Sequence, residues 1–221
     1  MNKLIPYFER FALVAMEKRQ KLLRLADDQF LELDLDEGVA RFSPSLVLPV
    51  QVLGTESDNS FTWLWAWAEE QTEMPERLIR SSREMQRWLE QQDLRELAAP
   101  SLDLDRADGT LLSCIATEVC RASAFYRDSY EGGALFLLLM SDQIDRQPGF
   151  TLAELAGSLL DLGSRYPFDH RSALAAYLRS RGRSLEERTD ALQAQLATGE
   201  QLSVEFNADG SVRSINGAPV A

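Results

Sequence analysis

The stretch FTWLWAWA, residues 61–68, holds three of the chain's four tryptophans, Trp63, Trp65 and Trp67, at alternate positions. In an extended strand these rings point to one face, with Cα atoms about 6.8 Å apart, and Thr62, Leu64, Ala66 and Ala68 point to the other. Each indole can bury about 150–250 Å², so an uncovered row exposes roughly 450–750 Å², at or above the largest apolar patch a monomer tolerates. At about 25 cal/mol per Å², covering a single indole is worth several kcal/mol. Something therefore covers the row: the chain's own helices, a second subunit, or a flat ligand such as a sugar stacked on the rings. The apolar opposite face, Leu64 with two alanines, fits a central strand covered on both sides.

Working outward, the tryptophan strand closes a four-stranded antiparallel meander. FLELDLDEGVARF, residues 30–42, alternates Leu31, Leu33 and Leu35 with acids before a DEG turn, the pattern of a hairpin with one wet face. LVLPVQVLG, residues 46–54, reads as a third strand that Pro49 pushes toward an edge or a bulge. Upstream, residues 2–25 repeat apolar side chains at helical steps through Leu4, Phe8, Phe11, Ala15, Leu22 and Leu25.

Downstream the period changes. Pro75 opens a helix through Leu78, Met85 and Leu89, and a second helix is predicted through Leu111, Ile115, Val119, Ala122 and Tyr126. ALFLLLM, residues 134–140, is apolar at every position, as a strand inside a sheet is. In the last third, Thr151 with Glu154 forms a candidate capping box, Asp169 can cap a further helix, and Ser184 with Glu187 repeats the box. LSVEFNADGSVRSI, residues 202–215, reads as a terminal hairpin. The expected class is α+β: a mainly antiparallel sheet of about five to seven strands with packed helices and a helical C-terminal extension. The expected domains are a core over residues 1–147 and an extension over 148–221 ending in that hairpin.

Composition narrows the chemistry. The 221 residues carry a net charge of −12, distributed as +2 over residues 1–30, −12 over 31–150 and −2 over 151–221. Such a field repels phosphate backbones, which disfavours nucleic acid, and steers in a basic protein. No apolar run approaches the roughly 20 residues needed to cross a bilayer, and Glu9 and Arg10 interrupt any signal-like segment. The expected location is the cytoplasm, without membrane association. Cys114 and Cys120, about 9 Å apart along one helix, read as reduced core thiols.

The single histidine, His170, is expected at a solvated helix start, and it cannot supply a common zinc site. DLDRADG, residues 103–109, fails as a calcium loop, because Ala107 takes a ligand position and Asp108 the place of the glycine. Phosphate loops and nucleophile elbows are missing too, so neither a metal nor a cofactor is expected. The remaining polar candidates are the acid pairs among Glu32, Asp34, Asp103, Asp105, Asp142 and Asp145, and Arg127 as an anion anchor between Tyr126 and Tyr130.

LGTES, TWLWAWA and AFYRDSYEGGALF together resemble an uncharacterised bacterial family. That family is marked by a Trp-x-Trp-x-Trp strand usually followed by Asn, and by a Tyr-Tyr-Arg segment before a Gly-rich turn into an apolar strand. The likeness spans roughly residues 5 to 140; Glu69 stands where the Asn falls and Phe125 replaces the first tyrosine. It implies that Trp63, Trp65, Trp67, Tyr126, Arg127, Tyr130 and Gly133 form one recurring constellation, and it implies no activity. Two functions follow from the residues. One is a non-enzymatic protein-binding module, immunity- or antitoxin-like, that takes a basic partner. The other is a small-molecule or carbohydrate-binding protein or hydrolase, with a tryptophan-walled pocket and carboxylates. Its ligand-binding residues are then Trp63, Trp65, Trp67, Tyr126, Arg127 and Tyr130. A homo-oligomer that covers the tryptophans is a third arrangement.

Overall fold

The computed structural model describes residues 2–27, 32–68 and 74–218. The chain divides into two compact units, Leu22–Arg146, and Met1–Lys21 together with Gln147–Ala221. The first helix, α1 (Ile5–Ala26), has its opening turns in the unit that holds the C-terminal segment. Residues 2–21 thus group with the last third rather than with the core placed at 1–147. The cause is aromatic packing: the Phe8 ring lies 4.7 Å from Tyr166 and 5.4 Å from Phe168.

The unit Leu22–Arg146 is built on a seven-stranded sheet. Strands β1 (Glu32–Asp34), β2 (Val39–Ser43), β3 (Leu46–Ser57), β4 (Thr62–Trp65) and β5 (Ser101–Asp103) are successive antiparallel neighbours. Helices α2 (Glu76–Gln91) and α3 (Gly109–Val119) are followed by a hairpin of β6 (Ala124–Tyr130) and β7 (Gly133–Leu139), then by a short helix α4 (Asp142–Asp145). Strand β7 lies between β3 and β6, antiparallel to both, so its all-apolar sequence sits inside the sheet. Of the first hairpin, Leu31 lies outside the described residues, and Leu33 pairs with Ala40.

Strand β3 is central, which corrects the edge alternative expected from Pro49. The bulge alternative is not met at Pro49 itself, since the register shifts of the β3 ladders fall between Val52 and Gly54 and between Arg41 and Ser43 of β2. The Val50 N–H donates to the Gly38 carbonyl on the β2 side, so alternation turns the Pro49 nitrogen the other way. There β7 has already ended its pairing at Val50 opposite Leu139, and the Pro49 carbonyl accepts from the Met140 N–H. The missing donor falls where the ladder stops, so the proline costs no hydrogen bond.

Two further expectations shift. The tryptophan strand ends at Trp65, because β5 offers pairing only as far as Ser101, opposite Leu64; Ala66–Ala68 is a 3₁₀ turn that carries Trp67 off the row. Helix α3 ends at Val119 rather than running to Tyr126. Arg121 adopts φ 54° and the Ala122 N–H reaches back to the Thr117 carbonyl, a left-handed stop, after which Tyr126 lies in β6 opposite Leu137.

The other unit contains α5 (Leu152–Arg165), α6 (His170–Ser180) and a four-stranded antiparallel sheet of β8 (Leu185–Glu187), β9 (Ala191–Gln195), β10 (Gln201–Phe206) and β11 (Val212–Ala218). The Thr151–Glu154 capping box and the Asp169 cap form as read. The helix read after Ser184 does not; Leu185–Glu187 and Ala191–Gln195 are strands. Leu192, Ala194, Leu202, Val204 and Phe206 face inward with period two across β9 and β10, and Glu187 turns to the guanidinium of Arg179 instead of a cap. The terminal hairpin therefore belongs to this second sheet. His170 is half-buried rather than solvated: its Nδ1 accepts the Val212 N–H at 3.3 Å, and burial lowers its pKa.

Candidate functional site

The site is organised by one indole. Trp63 and Trp65 are both 0% exposed, stacked edge to face at 5.3 Å, and Trp63 meets Phe136 in the same way at 5.4 Å. Register explains the fit: Trp65, Gly54, Phe136 and Arg127 face one another in a row across β4, β3, β7 and β6. Gly54 supplies no side chain to that row, and the Trp63 ring fills the slot. A Cβ on Gly54 would overlap both the Leu64 carbonyl oxygen and the indole. On the helix side, a Cβ on Gly109 would stand 2.5 Å from the Phe136 ring and 2.7 Å from the Trp63 ring. The two rings are thus covered by segments of the same chain, and the Trp65 Nε1–H donates to the Leu97 carbonyl at 3.1 Å.

The other predicted residues fall into two groups. Trp67 and Tyr126 are half-buried against the apolar cluster that holds Phe42, Leu48 and Leu137, with Tyr126 edge-on to Phe42 at 5.4 Å. Arg127 and Tyr130 stand at the end of the sheet, beside a residue the sequence reading left unmarked, Glu56. The Glu56 carboxylate accepts the Gly109 N–H at the start of α3, at 2.6 Å, and lies 4.0 Å from the Arg127 Nε. Tyr130 lies across Gly133 toward the Glu56 carbonyl, 3.5 Å from its hydroxyl. The only sequence signal for Glu56 is its place in LGTES, two residues after the glycine that Trp63 needs.

Burial holds the Glu56 carboxyl above its ordinary value near 4.5, opposed by the Gly109 N–H and reinforced by Asp108. Burial raises Asp128 as well. With a folded pKa above the unfolded one, the folded state keeps a proton that the unfolded state has lost. Glu56 therefore takes stability away as pH rises from about 4.5 through its folded value. Glu56→Gln keeps an acceptor for Gly109 and removes that contribution. Urea unfolding at pH 4.5 and at pH 7 is expected to show a smaller loss on raising the pH in the variant than in the parent; equal losses would contradict the assignment.

Around this corner three loops lie side by side. The Asp58 N–H donates to the Gly132 carbonyl at 2.9 Å, and the Leu104 N–H to the Phe61 carbonyl at 3.0 Å. Asp58, Asp103, Asp105 and Glu131 are exposed on them, against Arg106 and Arg127. Phe61 is 70% exposed and Tyr130 52%, the two most exposed aromatic rings among the described residues of this unit. Phe61 also holds φ 53°, a conformation bulky residues rarely adopt. The corner is an acidic rim with two aromatic rings standing out of it.

Cys114 and Cys120 are buried and unbridged, and burial pushes the Cys120 thiol up to about 12, so it is protonated at neutral pH. Among the described residues no cluster of His, Cys, Asp or Glu is placed to hold a metal ion, and no helix is long and apolar enough to cross a membrane. Comparison with curated proteins and with solved structures finds no match. Residues 6–142 match the model of a family of unknown function, DUF6882, and the chain belongs to that family.

Proposed function

We propose that the protein is a non-enzymatic binding module, immunity- or antitoxin-like in character, which takes a basic protein partner on the acidic rim at the end of the seven-stranded sheet. The observation that carries this reading is Phe61, a large apolar side chain held out at positive φ among Asp58, Asp103 and Asp105. Aromatic rings anchor interfaces, while the carboxylates around them steer and select a cationic surface. Two buried, unbridged cysteines suit the reducing cytoplasm as the setting. A tryptophan-walled pocket has less support, since Trp63 and Trp65 present no open face.

The test immobilises the protein in extract of its native source at about 0.01 M and about 1 M ionic strength, between which the Debye length falls from about 30 to about 3 Å. A basic protein is expected to be retained at low salt, released at high salt, and lost when Phe61→Ser is combined with Asp58→Lys and Asp105→Lys. Retention unchanged in that triple variant overturns the reading.

A further inference from the structure

In the unit of residues 1–21 and 147–221, a cavity of about 170 Å³ is walled by three cations, Lys21, Arg181 and Arg183, and one carboxylate, Glu17. Glu17 is 2% exposed and already fully engaged. One oxygen lies 2.7 Å from the Arg181 Nη2 and 3.7 Å from the Lys21 Nζ; the other accepts from the Tyr177 hydroxyl and from the Phe150 N–H at 3.3 Å. Two guanidiniums, Arg181 and Arg183, face the single carboxylate of Glu17 across this cavity, so positive charge outweighs negative there in a protein whose net charge is −12.

The donors point the same way. The Nε–H groups of Arg181 and Arg183 are buried and find no acceptor among the described residues. A buried donor without an acceptor carries a desolvation penalty that an oxyanion removes, and the guanidinium fork matches phosphate in particular. Arg183 is also a wall of a second, larger cavity of about 370 Å³, lined by the neutral polar side chains of Ser184, Gln193, Gln195 and Gln201 and by the carboxylate of Glu186. Amides and hydroxyls of this kind hydrogen-bond a hydroxyl-rich body. From this juxtaposition we infer that the two cavities form one binding site for a small phosphorylated polyol such as a sugar phosphate, with its phosphate on Arg181 and Arg183 and its hydroxyls on the glutamines.

The site is independent of the acidic rim, and its test uses the full chain. Glucose 6-phosphate, inorganic phosphate and glucose are titrated by calorimetry at fixed ionic strength. Glucose 6-phosphate is expected to bind saturably and more tightly than inorganic phosphate, with glucose giving no signal. Arg183→Gln, which leaves the backbone bond from residue 183 to the Leu178 carbonyl in place, is expected to weaken glucose 6-phosphate at least about tenfold with an unchanged melting temperature. Glu17→Gln, which removes the opposing charge and keeps an acceptor for Tyr177, is expected to tighten it. Absence of saturable binding, or equal affinity in the parent and Arg183→Gln, overturns the inference.

Discussion

Trp63→Ala is expected to lower the unfolding free energy by about 3–5 kcal/mol, the range for truncating a large buried aromatic side chain. The indole has no exposed surface, and its neighbours are fixed elements that cannot close over the void: the Phe136 and Trp65 rings, the strand at Gly54 and the first turn of α3. Gly54→Ala attacks the same slot from the opposite side. Its methyl overlaps the Leu64 backbone oxygen as well as the indole, so a shift of the ring alone gives no relief, and a loss of about 1–3 kcal/mol or more follows. The pair is coupled. In the double variant the space left by the indole accepts part of the new methyl, so the combined loss is smaller than the sum of the two. Denaturant midpoints at constant slope read all three variants. A Trp63→Ala loss under about 1 kcal/mol would show that the slot is not the centre of this core.

Glu17→Ala is the second large effect, expected at about 3 kcal/mol. Breaking a buried ion pair by removing one partner costs about 3–5 kcal/mol, and the lower end applies here because the Arg181 side chain is 29% exposed and can find water. The substitution also removes the acceptor of the Tyr177 hydroxyl and the Phe150 N–H, both buried. Glu17→Gln keeps an acceptor for those donors and is expected to lose clearly less. A spectroscopic signature separates this from generic damage. Burial and then the Glu17 charge hold the Tyr177 hydroxyl far above its ordinary value, so in Glu17→Ala the tyrosine is expected to ionise at lower pH. Equal losses in the alanine and glutamine variants, with an unmoved tyrosine titration, would place the stabilisation elsewhere.

Elements whose signal is local were legible beforehand. The capping box at Thr151, the cap at Asp169 and the doubly buried strand 133–139 need only neighbours in sequence, and each stands where its residues put it. The strands β5 and β6 were not legible, because SLD is three residues long and AFYRDSY continues the apolar spacing of the helix before it. Leu185, Leu192 and Leu196 fit a helical spacing as well as a strand one, and the choice fell to the pairing of β9 with β10. Of the site, the tryptophan row was visible as a surface that must be covered. Glu56 lay within LGTES and Phe61 at the head of the tryptophan stretch, and nothing in the local pattern of either segment marked those two side chains as part of a site.

By itself the sequence determined the α+β class, the antiparallel meander, the acidic character and the need to bury the tryptophans, since each follows from side-chain period, turn chemistry or charge. Only the tertiary structure decided what covers the rings, which acids gather at the end of the sheet, and that the first helix opens among the C-terminal elements. The physical reason is that period specifies which face of an element is apolar, whereas the identity of the opposing face is a long-range contact. Glu56 and Gly109, 53 residues apart, meet only after β3 and α3 have been placed.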